Sequence, residues 1–213
     1  MEVIGPPGAG KTTLYRALLS SHEGVTGKPR LRRIKYVPLM VGDALDMLPT
    51  IMQQHPSGRW VTPQQVKKMV YLQVVSRILE RQDASSWLRI LDQGPVYLLT
   101  KLYGLGPATL TTRRLAKWWN ESLDRSASLL DFVVWLDAPD ALLIERINIR
   151  GKRHTLKGAS DDDAREDLAR SRRWYESVIS ELSARRGELR VLRYDTSRES
   201  LDQVVNRLLT TLS

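Results

Sequence analysis

The residues best suited to chemistry lie near the start of the chain, in segment 5–12. This segment reads GPPGAGKT and matches the pattern G-x-x-x-x-G-K-[ST]. Glycines allow backbone conformations that a Cβ atom would forbid, so successive N–H groups can point toward one anion. An apolar run precedes the segment and a helix-forming sequence follows it, which is the order of a phosphate-binding loop. The segment is therefore predicted to bind the phosphates of a nucleoside triphosphate.

The reactive side chains of this loop each have an expected role. Lys11 is expected to reach the β- and γ-phosphates, and the Thr12 hydroxyl is expected to ligate Mg²⁺. The positive end of the following helix adds to the same site. The residues expected to bind the nucleotide here are Gly5, Gly8, Ala9, Gly10, Lys11, Thr12 and Thr13. The alternative is a glycine-rich turn in which the Lys-Thr pair has no function.

Two aspartates follow apolar runs that are predicted to be strands. Asp92 comes directly after the run 87–91, and ligands collect at the carboxyl ends of strands in parallel sheets. Asp92 is therefore expected to organise Mg²⁺ together with Thr12. Asp43 could accept the proton of a substrate hydroxyl. Each aspartate could instead cap the helix that follows it.

A group of arginines is expected to cover the phosphates. Arg146, Arg150 and Arg153 are spaced so that one helix, if it continues that far, presents all three on one face. Segment 150–158 is short, basic and bounded by glycine, as a movable lid would be. Such a lid would exclude water and bring positive charge to the transition state. A solvated amphipathic helix is the alternative.

The elements that must position these residues alternate between strands and helices. This order predicts an α/β fold with a parallel sheet and helices on both faces. Strands are expected at 34–41, 87–91, 132–136 and 189–194, besides the first one. The first strand begins almost at Met1, and its natural start is suspected to lie slightly upstream.

Composition excludes several classes of protein. With 213 residues, of which 42% are hydrophobic, the chain is expected to form a single domain over 1–213. It contains no cysteine and only three scattered histidines, so neither disulfides nor a zinc cluster are predicted. No apolar run could span a bilayer, and no signal peptide precedes the first strand, so a cytoplasmic location is expected.

The formal net charge of +9 has three interpretations. The charge can belong to an arginine-rich solvated surface, to a site for phosphate-bearing ligands, or to a nucleic-acid interface. Because the basic residues are spread along the chain, nucleic acid is the least favoured partner.

Several of these motifs together resemble the nucleoside and nucleotide kinase group, which includes thymidylate kinases and deoxynucleoside kinases. The resemblance rests on segment 5–12, on Asp92, and on the stretch from 133 to Arg150, and it covers most of the chain in order. It implies a three-layer P-loop NTPase fold with a five-stranded parallel sheet in the order 2-3-1-4-5. It also implies ATP and Mg²⁺ as cofactors, with Arg146, Arg150 and Arg153 as lid arginines.

The same resemblance suggests where substrates bind. Asp195 and Thr196, after the last strand, correspond to the place where relatives contact adenine. Region 42–83 is expected to be helical and to bind the acceptor. Relatives commonly carry an acidic residue followed by arginine where this chain has Asp92 and Gln93, so the acceptor is expected to be unusual or held differently. The thymidylate kinase pattern is not recognisable around 41–43, so thymidylate is not predicted as the substrate.

The leading hypothesis is an ATP- and Mg²⁺-dependent kinase for a small metabolite, with a nucleoside or nucleotide as the first candidate. A regulatory P-loop NTPase and a polynucleotide-end kinase are the alternatives. The acceptor group, hydroxyl or phosphate, and the oligomeric state, with a homodimer as one option, stay open at this point.

Overall fold

The computed structural model describes residues 1–21, 24–27, 37–51, 62–81, 88–104, 112–151 and 155–212. The strands are β1 (Glu2–Ile4), β2 (Val25–Thr26), β3 (Leu88–Arg89), β4 (Leu91–Asp92), β5 (Phe132–Asp137) and β6 (Arg190–Asp195). The helices are α1 (Lys11–Ser21), α2 (Val37–Ile51), α3 (Pro63–Arg81), α4 (Pro95–Tyr103), α5 (Arg113–Ser128), α6 (Asp140–Ile149), α7 (Asp161–Arg185) and α8 (Leu201–Leu212).

The central sheet is parallel and has four strands in the order β4-β1-β5-β6. In its register Val3 of β1 lies beside Asp92 on one side and Val134 on the other. Asp137 lies beside Asp195 at the far ends of β5 and β6. The carboxyl ends of all four strands therefore meet at one edge of the sheet, directly beside segment 5–12.

A second, two-stranded parallel sheet pairs β2 with β3. Only Ile90 separates β3 from β4, and its N–H donates to the Thr26 carbonyl at 2.8 Å. The N–H of Leu91 donates instead to the Met1 carbonyl at 3.0 Å. The run predicted as one strand over 87–91 is thus described as two short strands that pair with different neighbours.

The strand predicted at 34–41 is wrong where the structure describes it, because residues from Val37 onward belong to α2. Pro38 lies in the first turn of this helix, where a missing N–H costs no hydrogen bond. The strand that pairs with β3 is instead Val25–Thr26, where no strand was predicted. The described sheets accordingly differ from the predicted single sheet of five strands.

Apolar residues form two clusters, one on each face of the sheet. Alternate residues of β5 point to opposite faces, as expected for a strand: Val133 and Trp135 join one cluster, and Val134 and Leu136 join the other. Helices α3, α4, α5 and α7 supply most of the first cluster. Helices α1, α6 and α8, with Ala164 and Leu168 of α7, supply the helical residues of the second. Helices on both faces of a parallel sheet confirm the predicted α/β architecture.

Helix ends follow local capping chemistry. Ser160 accepts a hydrogen bond from the Asp163 N–H at 3.2 Å and begins α7, as its sequence predicts. Helix α6 ends at Ile149, because Arg150 has an extended backbone with φ −61° and ψ 132°. The helix therefore does not continue through 150, and Arg153 lies outside the described residues. None of the described helices is both long and apolar enough to cross a membrane.

Candidate functional site

Segment 5–12 packs so closely on its neighbours that side chains are excluded from two positions. Gly5 has φ +139°, and a Cβ atom there would lie 2.0 Å from the Leu136 carbonyl oxygen of β5. Gly8 has φ +85°, and its Cβ atom would lie 2.8 Å from the Leu143 carbonyl oxygen of α6. The loop backbone is therefore held against β5 and α6, with α1 starting directly behind it.

Lys11 is folded back across this loop. Its Nζ donates hydrogen bonds to the carbonyl oxygens of Gly5 at 2.8 Å and Pro6 at 2.7 Å. Burial, together with the nearby cations Arg150 and Lys101, lowers the pKa of Lys11 to about 8, although Asp92 opposes the shift. Lys11 is therefore a half-buried ammonium that stays mostly protonated at neutral pH and lies close to two other cations.

A cavity of about 250 Å³, here the smaller cavity, brings the predicted catalytic groups together. The loop glycines, Lys11 and Thr12 line it, and so does Asp92 at the end of β4. Arg150 also lines it, from the C-terminal end of α6. Loop, lysine, hydroxyl, carboxylate and arginine thus face one volume, as the sequence predicts.

A further part of the lining of the smaller cavity was not predicted from the sequence. It consists of Tyr97 and Lys101 from α4 and Ser171 and Tyr175 from α7. Each pair has a spacing of four residues, which places its members on one face of a helix. That spacing, on a helix that starts three residues after Asp92, is the signal that could have found Tyr97 and Lys101.

Gln93 lies between Asp92 and Gly94 and also lines the smaller cavity. Its φ of 62° is in the left-handed region, which residues other than glycine seldom adopt. It stands where the resemblance predicts an arginine, so this position contributes a neutral amide instead of a cation.

A larger cavity of about 410 Å³ lies on the other side of the loop. Gly8, Gly10 and Arg150 line both cavities, so the two spaces adjoin around the loop. Most of the other lining is apolar, from α1, β5 and α8, and it includes Thr13 of α1. An apolar space beside a phosphate loop is suited to a nucleoside base.

Arg146 forms a wall of the larger cavity. Its guanidinium donates to the Thr196 hydroxyl and to the Thr196 carbonyl oxygen, both at 2.9 Å. The Thr196 hydroxyl in turn donates to the Asp137 carbonyl oxygen at 3.1 Å. Arg146 and Thr196 therefore lie together at the larger cavity. Of the two predicted lid arginines that the structure describes, Arg146 and Arg150, only Arg150 also lines the smaller cavity.

The two other strand-end aspartates have structural partners. Arg172 of α7 binds both carboxylate oxygens of Asp137, at 2.7 and 2.9 Å, and also Asp140 at 2.6 Å. These carboxylates raise the pKa of the Arg172 guanidinium. Asp195 accepts hydrogen bonds from the Ser197 hydroxyl and N–H, which lower the pKa of Asp195, and it does not line the larger cavity.

Asp43 lies away from both cavities. It is fully buried in α2, and Arg77 of α3 binds its carboxylate at 2.6 Å. Burial raises the pKa of Asp43, and Arg77 opposes that shift. Within region 42–83, Gln65 caps α3 by accepting a hydrogen bond from the Thr62 N–H.

The described residues fit a magnesium-bound nucleoside triphosphate. The glycine loop is held against β5 and α6, and the first turn of α1 directly after it offers backbone N–H groups. Within the described ranges, no group of three or more histidine, cysteine or acidic side chains could hold a metal alone. Thr12 and Asp92 are instead the kind of sparse ligand set that Mg²⁺ uses when phosphate oxygens and water complete its shell.

Comparison with known proteins gives a likeness of fold. No family model matches the chain, and no curated protein sequence matches it. The solved structure of thymidylate kinase from Candida albicans matches with a TM-score of 0.56 at 12% identity, over 99% of this chain and 89% of that chain. Deoxyadenosine kinase from M. mycoides, solved with bound dCTP, matches with a TM-score of 0.49 at 16% identity, over 100% of this chain and 98% of that chain. The chain therefore shares its fold with that thymidylate kinase.

Proposed function

We propose that this protein is a phosphotransferase that moves the γ-phosphoryl group of ATP, with Mg²⁺, to a small acceptor, most simply a nucleoside or nucleotide. The observation that carries the proposal is the smaller cavity, where Lys11, Thr12, Asp92 and Arg150 face one space beside the glycine loop. The fold shared with a thymidylate kinase supports it.

The proposed division of labour follows from the two adjoining cavities. The larger one takes the base of the nucleotide between the apolar side chains and Arg146, with Thr196 at its edge. The loop amides and Lys11 hold the phosphates, because they supply positive charge at a site partly shielded from water. Mg²⁺, when bound by Thr12 and the shell that Asp92 organises, would neutralise charge on the transferred group.

Arg150 is proposed to stabilise the transition state. Arg150 lines both cavities, so its guanidinium can interact with the β-phosphate and with the transferring phosphoryl group. Segment 150–158 is proposed as the lid, and the Lys157 Nζ donates to the Arg150 carbonyl oxygen at 2.8 Å across its base. The single five-stranded sheet in the order 2-3-1-4-5 stays part of this proposal, with β2 as an edge strand and β3–β4 as the strand beside it.

An assay of ADP release with a panel of nucleosides, nucleotides, sugars and other hydroxyl compounds tests the reaction. We expect one acceptor class to stimulate ADP release well above the rate without acceptor, and the phosphorylated acceptor to accumulate in equal amount. Hydrolysis of ATP at the same rate with every acceptor would instead identify a nucleotide hydrolase.

A lysine substitution tests the phosphate loop. Lys11→Ala should lower kcat by about 10²- to 10³-fold, because a cation aimed at the transferring phosphoryl group is lost. Lys117→Ala is the matched control, since Lys117 is an exposed residue of α5 whose partner is Glu121 at 3.7 Å. Equal rates for both variants would contradict the role of Lys11.

A further inference from the structure

Glu2 is an acidic side chain in the interior of the molecule that has no part in the proposed reaction so far. It lies in β1, three residues before Gly5, and it is fully buried. Acidic side chains are seldom fully buried unless other groups satisfy their oxygens, because burial removes them from water. The groups that its carboxylate contacts therefore indicate what the residue does.

The carboxylate of Glu2 contacts the turn that leads from β4 into α4. One oxygen accepts a hydrogen bond from the Val96 N–H at 2.8 Å, and the other accepts one from the Tyr97 N–H at 2.9 Å. Both N–H groups belong to the first turn of α4, where the helix itself supplies no acceptor. The residue before the helix, Gly94, supplies no side-chain cap. Glu2 therefore caps α4 from a strand that lies 94 positions before Val96 in the chain.

Gly94 leaves the space that the carboxylate occupies. A Cβ atom at this position would lie 2.8 Å from Oε2 of Glu2 and 2.9 Å from its Cδ atom. Any residue with a side chain would therefore push the carboxylate away from the end of the helix. Close packing of this kind fixes the turn to β1, because neither part can shift without breaking a hydrogen bond or making a clash.

The same turn carries residues of the smaller cavity. Asp92, Gln93 and Tyr97 line it, and Asp92 is the residue proposed to organise the Mg²⁺ shell. Directly after Asp92, the backbone of Gln93 has a φ of 62°, a left-handed conformation that is unfavourable for a residue with a long side chain. Such a conformation persists only where the surrounding contacts enforce it. The hydrogen bonds of Glu2 begin three residues after Gln93 and are suited to enforce it.

We propose that Glu2 is a positioning residue for phosphoryl transfer, which holds the turn 92–97 in the conformation that places Asp92 at the smaller cavity. This inference rests on the proposed function. Strand pairing with Val3 holds the chain at Asp92, and the carboxylate of Glu2 holds it again where α4 begins. Segment 5–12 follows directly after β1, so one strand fixes both the phosphate loop and the turn. A displacement of about 1 Å at such a site can lower the rate about a hundredfold.

Steady-state kinetics of Glu2→Gln test the inference. Glutamine has nearly the same size but offers one acceptor oxygen instead of two, so one of the two N–H groups loses its partner. We expect kcat to fall by about 10- to 100-fold, and the Mg²⁺ concentration that gives half the maximal rate to rise at least about threefold. Glu121→Gln is the matched control, since Glu121 is an exposed residue of α5 whose partner is Lys117 at 3.7 Å, and it should match wild type.

A second substitution separates positioning from a general loss of stability. Asparagine adopts the left-handed conformation more readily than glutamine, so Gln93→Asn should make the turn less dependent on Glu2. In a Gln93→Asn background, Glu2→Gln should therefore lower kcat by less than about threefold. Amide hydrogen exchange follows the same contact without the reaction. The N–H of Val96 or of Tyr97 should exchange at least about tenfold faster in Glu2→Gln than in wild type, while the N–H groups of β5 stay unchanged.

The outcomes that overturn the inference differ from those that overturn the proposed function. Phosphoryl transfer by Glu2→Gln with the kcat and Mg²⁺ dependence of wild type would overturn the inference alone. A loss of kcat that equals the unfolded fraction measured by circular dichroism, or that Gln93→Asn does not reduce, would assign Glu2 to stability and would also overturn it. Hydrolysis of ATP by wild type, without transfer to any acceptor, would overturn both.

Discussion

At the scale of single residues, the glycines of the phosphate loop are required for different physical reasons. Gly5 has both a positive φ and a close approach, because its Cβ atom would lie 2.0 Å from a backbone oxygen of β5. Gly10 has φ +88°, but nothing lies within 4 Å of the place where its Cβ atom would be. At Gly5 a side chain is therefore excluded by lack of space, whereas at Gly10 a side chain is disfavoured only by the backbone conformation.

Alanine substitutions should separate these two requirements. Gly5→Ala should lower the free energy of unfolding by about 3 kcal/mol or more, because either the loop or β5 must move. Gly10→Ala should cost about 1–2 kcal/mol, the cost of a left-handed conformation alone. Gly187→Ala, where the added atom meets nothing within 4 Å, is the control and should stay within about 0.5 kcal/mol of wild type. Urea unfolding measures all three, and equal losses at Gly5 and Gly10 would contradict the steric argument.

At the scale of elements, a buried carboxylate connects the central strand to the helix that carries Lys101. Glu2 of β1 is fully buried, and its carboxylate accepts hydrogen bonds from the N–H groups of Val96 at 2.8 Å and Tyr97 at 2.9 Å. Both donors belong to the first turn of α4, where backbone N–H groups lack partners within the helix. Glu2 therefore takes the place of a capping side chain and holds α4 beside the smaller cavity.

The pH dependence of stability should report this contact. Burial raises the pKa of Glu2 to about 7 from an ordinary value near 4.5, although the backbone donors oppose the shift. A carboxyl with a raised folded-state pKa stabilises the protein below its unfolded pKa, and that contribution is lost as the pH rises through the folded value. Relative to Glu2→Gln, wild type should therefore lose up to about 3 kcal/mol of unfolding free energy between pH 4.5 and pH 8.

Urea unfolding of both proteins at several pH values measures that difference, and groups shared by both proteins cancel from it. A difference that stays constant from pH 4.5 to pH 8 would show that Glu2 does not titrate in the folded protein as described. A decrease that occurs outside the window from about 4.5 to 7 would assign the titration to another group.

The same elements show how far the sequence could predict the fold. Strong local signals gave correct elements: the alternating apolar run of β5 and the capping sequence at Ser160 were both predicted. The strand predicted over 34–41 was wrong because an apolar stretch of that length is compatible with a buried strand or with a buried helix. Packing against α3 is what favours the helix α2. Strand β2 has just two residues, too few to produce a periodic signal.

The site was predictable where chemistry follows a motif or a strand end. Lys11, Thr12, Asp92 and Arg150 line one cavity because each lies in or beside segment 5–12 or at a neighbouring strand or helix end, and their roles stay predictions. The wall formed by α4 and α7 could not be predicted in the same way. Its residues come from helices about 70 positions apart in the chain, and only tertiary packing of α4 on α7 brings them to one cavity.

At the scale of the whole molecule, much of the arginine content links elements rather than binding ligands. On α7, Arg172 binds Asp137 and Arg185 binds Asp124 of α5 at 2.9 Å, and Arg186, directly after α7, binds Asp131 at 2.9 Å. These partly exposed pairs are individually weak but connect one helix to both α5 and the ends of β5. At these positions the basic composition reflects a surface of ion pairs, one of the three interpretations of the net charge.

Residues of both apolar clusters line the two adjoining cavities, so the proposed ligand site is shared between the two faces of the sheet. Leu14, Leu136 and Val204 of the second cluster line the larger cavity, whereas Tyr175 of the first cluster lines the smaller one. A nucleotide that spans the loop therefore contacts both clusters at once. Its binding should stabilise the fold as one unit instead of one half of it.

Thermal unfolding with Mg²⁺ and a non-hydrolysable ATP analogue tests this expectation. A ligand at 100 times its Kd adds about 2.7 kcal/mol to the free energy of unfolding. For a domain of this size that corresponds to a rise in Tm of about 5–10 °C. We expect one transition that moves as a whole, and Lys11→Ala should keep the ligand-free Tm within about 2 °C of wild type while losing most of the rise. A transition that splits in two, with only one part moving, would contradict a shared site, because ligand contacts would then stabilise a single cluster.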